Sequence, residues 1–180
     1  SSPCGIGVPV IIILHLDNND VNNLPESVLF HPYWMQVSVY YDIASNLDYV
    51  VLKYGDCKNN TPIVRIHSES IFNRFPLKNR KYTELYKKSI ELILRNGSGI
   101  IILFYNDGKG CGLGNLILQK NFDKNEIGIK DDSRDYDAAS QLLKEHIDKS
   151  IILIYTCESS REQSKFDLIK NDINIKKFIY

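Results

Sequence analysis

The chain has 180 residues, 43% of them apolar and 24% charged, and its 22 basic side chains balance 22 acidic ones. That length and apolar fraction suit one medium-sized globular domain and exclude a disordered chain or a coiled coil. Zero net charge also excludes a protein that grips nucleic acid through a broad basic field, since such binding neutralises many phosphates at once; a charged partner needs a local pocket.

Val8 to Leu16 is the longest apolar run. It falls far short of the roughly 20 residues that cross a bilayer, and no basic segment precedes it, so neither a membrane partner nor a signal segment is expected. The chain opens at Ser1 rather than at Met, which leaves a removed targeting segment open. Val8 to Leu16, Gln36 to Ile43, Tyr49 to Lys53 and Ile63 to His67 are β-branched or aromatic runs between Asn, Asp, Gly and Pro, and they predict an antiparallel sheet in the first half. Phe30, Tyr33 and Trp34 with Pro32 could form an exposed aromatic patch for a partner, but core packing is the preferred reading. From Thr83 the period changes: Tyr82, Tyr86, Ile90 and Ile93 recur at helical spacing, and Gly97-Ser98-Gly99 ends that helix. Ile100 to Tyr105 is continuously apolar, as a strand buried on both faces should be. Tyr136, Ala139, Leu143 and His146 mark a second helix, Ile151 to Tyr155 a buried strand, Phe166 and Ile169 a third helix, and Ile175 to Ile179 a last strand. The expected fold is one α+β domain, a mixed β-sheet flanked by helices. Cys4, Cys57, Cys111 and Cys157 form no C-x-x-C pair, the usage of a reduced compartment, and a cytoplasmic location is expected.

Three stretches carry polar chemistry. In Asn106-Asp107-Gly108-Lys109-Gly110-Cys111-Gly112-Leu113-Gly114 the alternating glycines let a ligand approach the backbone, and N–H groups beside a lysine make an anion site. It is neither a P-loop nor a dinucleotide fingerprint, and a plain glycine-rich surface loop reads equally well. Arg65-Ile66-His67-Ser68-Glu69 crowds a cation, an imidazole and a carboxylate onto one strand face by period two. Composition alone favours a solvated edge strand there. Asp131-Asp132-Ser133-Arg134-Asp135-Tyr136 supplies capping residues for the second helix, with Arg134 in a first turn whose dipole a cation opposes. That arginine either awaits an anion or pairs with a neighbouring Asp.

In this order and spacing, with Tyr54-Gly55-Asp56, Thr61-Pro62 and Tyr155-Thr156 between them, the stretches resemble the GTP cyclohydrolase II family, which opens the guanine ring of GTP at the head of riboflavin synthesis. The likeness covers residues 48–180, with 1–47 as divergent N-terminal strands of the same domain. The resemblance implies a nucleotide site of Arg65, His67, Glu69, Glu84, Asp107, Gly108, Lys109, Thr156 and Arg161, with Asp132 and Arg134 as the catalytic pair; Glu84 stands where the family has glutamine. It also implies a homodimer and a zinc held by three cysteines. Here Ser70 takes the first of those positions, and the other two fall near Asn79 and Lys81. A hydroxyl, an amide and an ammonium do not suit zinc, so no metal site and no zinc are expected. The segment between Gln119 and Asp131 is shorter than the family's, with Lys120 near a tyrosine position.

Without zinc to lower the pKa of water from roughly 16 to about 7, ring opening loses its nucleophile. The phosphate half of the site remains. Arg134 serves as a clamp rather than a nucleophile, because a guanidinium stays protonated, and magnesium comes with the triphosphate. Three readings follow in order: a zinc-independent enzyme acting at the α-phosphate of a nucleoside triphosphate, GTP first among them; an inactive nucleotide- or partner-binding module; and a structural protein with an empty site.

Overall fold

The computed structural model describes residues 12–16, 33–42, 47–69, 81–105, 112, 114, 118, 134–148, 150–155 and 158–179. Seven strands form one sheet: β1 (Ile12–Leu16), β2 (Tyr33–Asp42), β3 (Leu47–Tyr54), β4 (Ile63–Ser68), β5 (Gly99–Phe104), β6 (Ile151–Ile154) and β7 (Ile175–Ile179), in the order β1-β2-β3-β5-β4-β6-β7. Among the described residues three helices belong to it: α1 (Lys81–Asn96), α2 (Tyr136–His146) and α3 (Glu158–Lys170). The pairs β1–β2, β2–β3 and β3–β5 run antiparallel; β5–β4, β4–β6 and β6–β7 run parallel. The result is the expected α+β domain with a mixed sheet and flanking helices. No described helix is long and apolar enough to cross a membrane.

The strand identities follow from side-chain period. In β5 all six residues are buried, so both faces are covered and the run is apolar throughout. Val64, Ile66, Ile100 and Ile102 face one side with Ala139, Leu143 and Leu168 of α2 and α3; Ile63, Ile101 and Leu103 face the other with Ile90, Ile93 and Leu94 of α1. That division obeys the right-handed crossover rule, because β4-α1-β5 steps one way across the sheet and β5-α2-β6 steps back the other. The direction of winding therefore reverses between β4 and β6. Such a reversal opens a crevice at the carboxyl ends of the strands, where open α/β sheets take their ligands.

Two expectations are corrected. Ile63–Ser68 is not an antiparallel edge strand; it lies between β5 and β6, parallel to both, and its first five residues are buried. Arg65 and His67 looked solvated in sequence, yet helix α1 covers them. Trp34 is 53% exposed near the outer edge of the sheet, where β1 is the last strand, so it is no core residue. Residues 8–11 and Ile43 of the expected strands, with Phe30, lie outside the described residues.

Two glycines hold the lower ends of the strands together. Gly97 ends α1 with φ +78° while its N–H donates to the Leu94 carbonyl at 3.2 Å, and a Cβ there would meet open space. Gly55, after β3, has φ +68°, and a Cβ there would run into the Gly97 carbonyl oxygen. Gly97→Ala should therefore cost about 1 kcal/mol, the left-handed penalty alone. Gly55→Ala should cost about 3 kcal/mol, because backbone overlap adds to that penalty. Urea unfolding of both variants measures the difference.

Candidate functional site

Arg65 enters the core from β4 with only 3% of its surface exposed. Its Nη1 donates to the Ser89 hydroxyl at 2.7 Å and to the Leu85 carbonyl at 3.1 Å, both on α1, and its Nη2 meets His67 Nδ1 at 3.3 Å. Among the described residues no partner reaches its Nε. Burial first, and then the charge of Arg134, bring the guanidinium down to about 10. Among the described residues no carboxylate pairs with it, which is unusual for a cation this far from water.

His67 is the next residue on that face and is 7% exposed. Because arginine only donates, Nδ1 is the acceptor and the ring proton sits on Nε2. Burial, with Arg65 and Arg134 adding to it, pushes the imidazole down to about 3, so His67 is neutral at ordinary pH. Tyr86 of α1 lies against it, ring centroids 5.2 Å apart and tilted by 50°. Burial and the nearby Glu69 charge raise that phenol to about 12. Glu69 follows the strand, half-buried, its N–H donating to the Phe104 carbonyl at 2.8 Å at the end of β5.

A pH dependence follows from His67. The unfolded chain takes up a proton near the ordinary histidine value of 6.5, and the folded chain resists until about 3. Over that window the unfolded state binds more protons, so stability is full above it and falls as pH drops. The loss should reach about 2 kcal/mol by pH 5, read by denaturant unfolding at pH 7 and pH 5, and His67→Gln should flatten the profile. His146 contributes in the same direction, since burial lowers its pKa too.

Arg134 comes to this strand end from the other face. It precedes α2 rather than occupying its first turn: Asp135 is the N-cap, accepting from the Ala138 N–H at 2.8 Å, and the helix begins at Tyr136. That corrects the expected clash with the helix dipole. The Arg134 Nη1 donates to the Ile66 carbonyl at 2.6 Å, and its guanidinium lies 5.3 Å from the centre of the Tyr136 ring. Arg134 thus stands beside Arg65 and His67 with its position fixed by β4 itself. Ser68, on the same strand, has a buried hydroxyl without a partner among the described residues.

Between these groups and α3 lies a cleft of about 290 Å³, open mouth included, walled by Arg65, Arg134, Tyr136, Tyr155, Ser160 and Ser164. It sits at the crevice between β4 and β6 that the topology predicts. Among the described residues its lining includes two arginines and two serines and no Asp or Glu, although the Arg65 guanidinium itself reaches toward α1 on the other face of the sheet. Arg161 flanks the cleft on α3, its guanidinium 5.7 Å from the Tyr155 ring centre and 5.2 Å from that of Phe178, and 3.0 Å from Glu158 Oε2.

Of the expected site residues, Arg65, His67, Glu69 and Arg134 converge, and Arg161 stands at the rim. Glu84 lies exposed in the first turn of α1, one residue before Leu85. Asp107, Gly108, Lys109, Asp132 and Thr156 lie outside the described residues, as do Ser70, Asn79 and Lys120. Among the described residues no group of three His, Cys, Asp or Glu side chains is placed to hold a metal. Ser68, Tyr86 and Ser89 were not singled out by sequence reasoning. A polar Ser89 beside Ile90 on the buried face of α1 was the available signal.

The chain is similar to GTP cyclohydrolase-2 of Psychromonas ingrahamii, 33% identical over 60% of this chain and 60% of the relative, and to that of Vibrio parahaemolyticus, 30% identical over 53% and 52%. It therefore spans between half and three-fifths of these relatives' length. A crystal structure of RibBX, a two-domain 3,4-dihydroxy-2-butanone 4-phosphate synthase from A. baumannii, matches 93% of this chain and 39% of its own at 12% identity with a TM-score of 0.42, too low to carry an argument. The family description of GTP cyclohydrolase II matches residues 27–179, starting well ahead of the likeness read from motifs at 48. With that match across most of its length, the chain belongs to the GTP cyclohydrolase II family.

Proposed function

We propose that the cleft binds a nucleoside triphosphate, GTP first, and that the chain acts at its α-phosphate with release of pyrophosphate and without opening the ring. One observation carries the reading: a buried arginine with no acidic partner among the described residues lies beside a second arginine at the crevice where strand winding reverses. Burial and the neighbouring Arg134 charge both disfavour the Arg65 cation, and a bound anion would offset both. The Arg65 Nε and the Ser68 hydroxyl are further donors waiting for acceptors.

In this reading Arg134 clamps the α-phosphate and stabilises the charge that grows on it. Neutral His67 offers its Nε2–H as a donor. Water or another acceptor hydroxyl attacks phosphorus, the bond to the bridging oxygen breaks, and pyrophosphate leaves with that electron pair. Asp132 is positioned by sequence to take the nucleophile's proton. Magnesium, held by the phosphates and water, offsets the leaving-group charge. The donor set at Ser70, Asn79 and Lys81 does not fit zinc, and no step passes through one. A homodimer and a reduced, cytoplasmic setting complete the reading.

A second reading has its own observation. Arg134 is fixed on the Ile66 carbonyl, and Glu84 points to solvent, an arrangement that suits binding without turnover. Incubation with each of the four nucleoside triphosphates and magnesium, together with metal analysis, separates the two. Monophosphate and pyrophosphate are expected; tight binding with no product favours the module, and formate release would overturn the argument against ring opening.

A further inference from the structure

At the ends of β4 and β5 opposite the cleft, Asn96 closes α1 and Gly97 follows it, the one Asn-Gly step in the sequence. Both residues are exposed, yet the asparagine is tied down. Its Nδ2 donates to the Ser98 carbonyl at 2.8 Å, to the Ser98 hydroxyl at 3.3 Å and to the Thr61 carbonyl at 3.2 Å. One amide thus clips together the end of α1, the segment entering β4 and the start of β5. The Ser98 carbonyl also accepts from the Ile63 N–H at 3.2 Å, which ties the two strands to the same point.

Asparagine is a thermolabile residue, and most so before glycine, which has no side chain to keep its nitrogen away from the neighbouring amide carbon. Around Gly97 nothing else supplies that shield, since a Cβ there would meet open space. What holds the pair back is hydrogen bonding: the Gly97 N–H is engaged by the Leu94 carbonyl at 3.2 Å, and the Asn96 amide by its three acceptors. Both must let go, as they do when the end of a helix opens locally.

We propose that Asn96 is a site of spontaneous deamidation, restrained by the fold, and that the modification unclips this end of the sheet. The Gly97 nitrogen gives its proton to water or hydroxide and attacks Asn96 Cγ. The Cγ–Nδ2 bond breaks, and the nitrogen takes up a proton and leaves as ammonia. Water then opens the cyclic imide at either carbonyl, giving aspartate or isoaspartate, so that overall one water replaces one ammonia and nothing is oxidised or reduced. The product reverses the chemistry of the clip. A carboxylate only accepts; it faces the Thr61 and Ser98 carbonyl oxygens and stands at a helix C-terminus, where negative charge is unfavourable. The isoaspartyl form also lengthens the main chain beside the Gly97 carbonyl, which already leaves no room for a Cβ on Gly55.

The full chain, kept for weeks in mildly alkaline buffer with a parallel sample in guanidinium chloride, tests this by digestion and mass spectrometry. The peptide carrying Asn96 should convert from amide to acid before any other, at least about tenfold more slowly in the folded sample, and hydroxylamine, which cleaves the imide, should cut after Asn96. Gly97→Ala, checked for folding by circular dichroism, should suppress the conversion. Asn96→Asp should unfold at a lower urea concentration than the parent. Another asparagine converting first, no conversion in the folded sample, equal rates in the two samples, or an Asn96→Asp variant as stable as the parent overturns the proposal.

Discussion

Arg134→Ala is expected to lower the affinity for magnesium-bound GTP on the order of 100-fold and to bring pyrophosphate release below detection. Charge-assisted hydrogen bonds to phosphate are each worth about 1.5–3 kcal/mol, and Arg134 reaches the cleft already immobilised on the Ile66 carbonyl, with little rotamer entropy left to lose. The alanine variant should keep its fold, because α2 starts from the Asp135 cap and not from Arg134. It should also relieve His67, whose imidazole the Arg134 charge helps to depress, and the ring should titrate at a higher pH by proton NMR. Arg134→Lys should recover part of the affinity, since it keeps the charge but loses the planar fork. Undiminished binding in the alanine variant would remove the clamp from this end of the sheet.

Arg65→Met is expected to separate stability from binding. The guanidinium is costly in the folded state: burial drags its pKa to about 10 from 12.5, a native-state penalty on the order of a few kcal/mol. Methionine fills similar space without a charge, and such replacements are often neutral or stabilising by about 1–4 kcal/mol. Ser89 stays satisfied, since its hydroxyl already donates to the Leu85 carbonyl at 2.7 Å, while His67 Nδ1 loses a donor at a cost of about 1 kcal/mol. The variant should thus unfold at the same or higher urea concentration while its nucleotide affinity falls tenfold or more. Arg65→Ala should instead destabilise by about 2–4 kcal/mol through the void it leaves. A methionine variant as unstable as the alanine one would show that the arginine is structural, with no anion in view.

The elements that could be read from sequence were those whose burial was uniform. The apolar run of β5 and the spacing of Tyr136, Ala139 and Leu143 in α2 placed both within a residue of their observed ends. β4 was misread because burial and polarity disagree in it: Arg65, His67 and Ser68 among its six residues suggested a wet edge, and only the presence of β5 and β6 on either side makes it a central strand. The gathering of Arg65, His67 and Arg134 was legible through the motif likeness and not through physics, since 68 residues separate Ile66 from Arg134. Tyr86 read as an ordinary apolar helix position, and nothing local said that its ring would meet an imidazole. His146 read only as a position of the second helix; buried against Tyr40, it is held toward the neutral form.

The seven-strand order has one more consequence. β3 has β5 on one side and β2 on the other, and β2 is itself sheltered by β1. A shortened chain beginning near residue 47 would lay bare a full row of unpaired amides along β3, whose Val50, Val51 and Leu52 are buried in the whole protein. Such a margin recruits other chains. The N-terminal hairpin partner thus acts as a guard against clumping, and a trimmed version designed around the cleft alone needs charged residues along that margin to stay in solution.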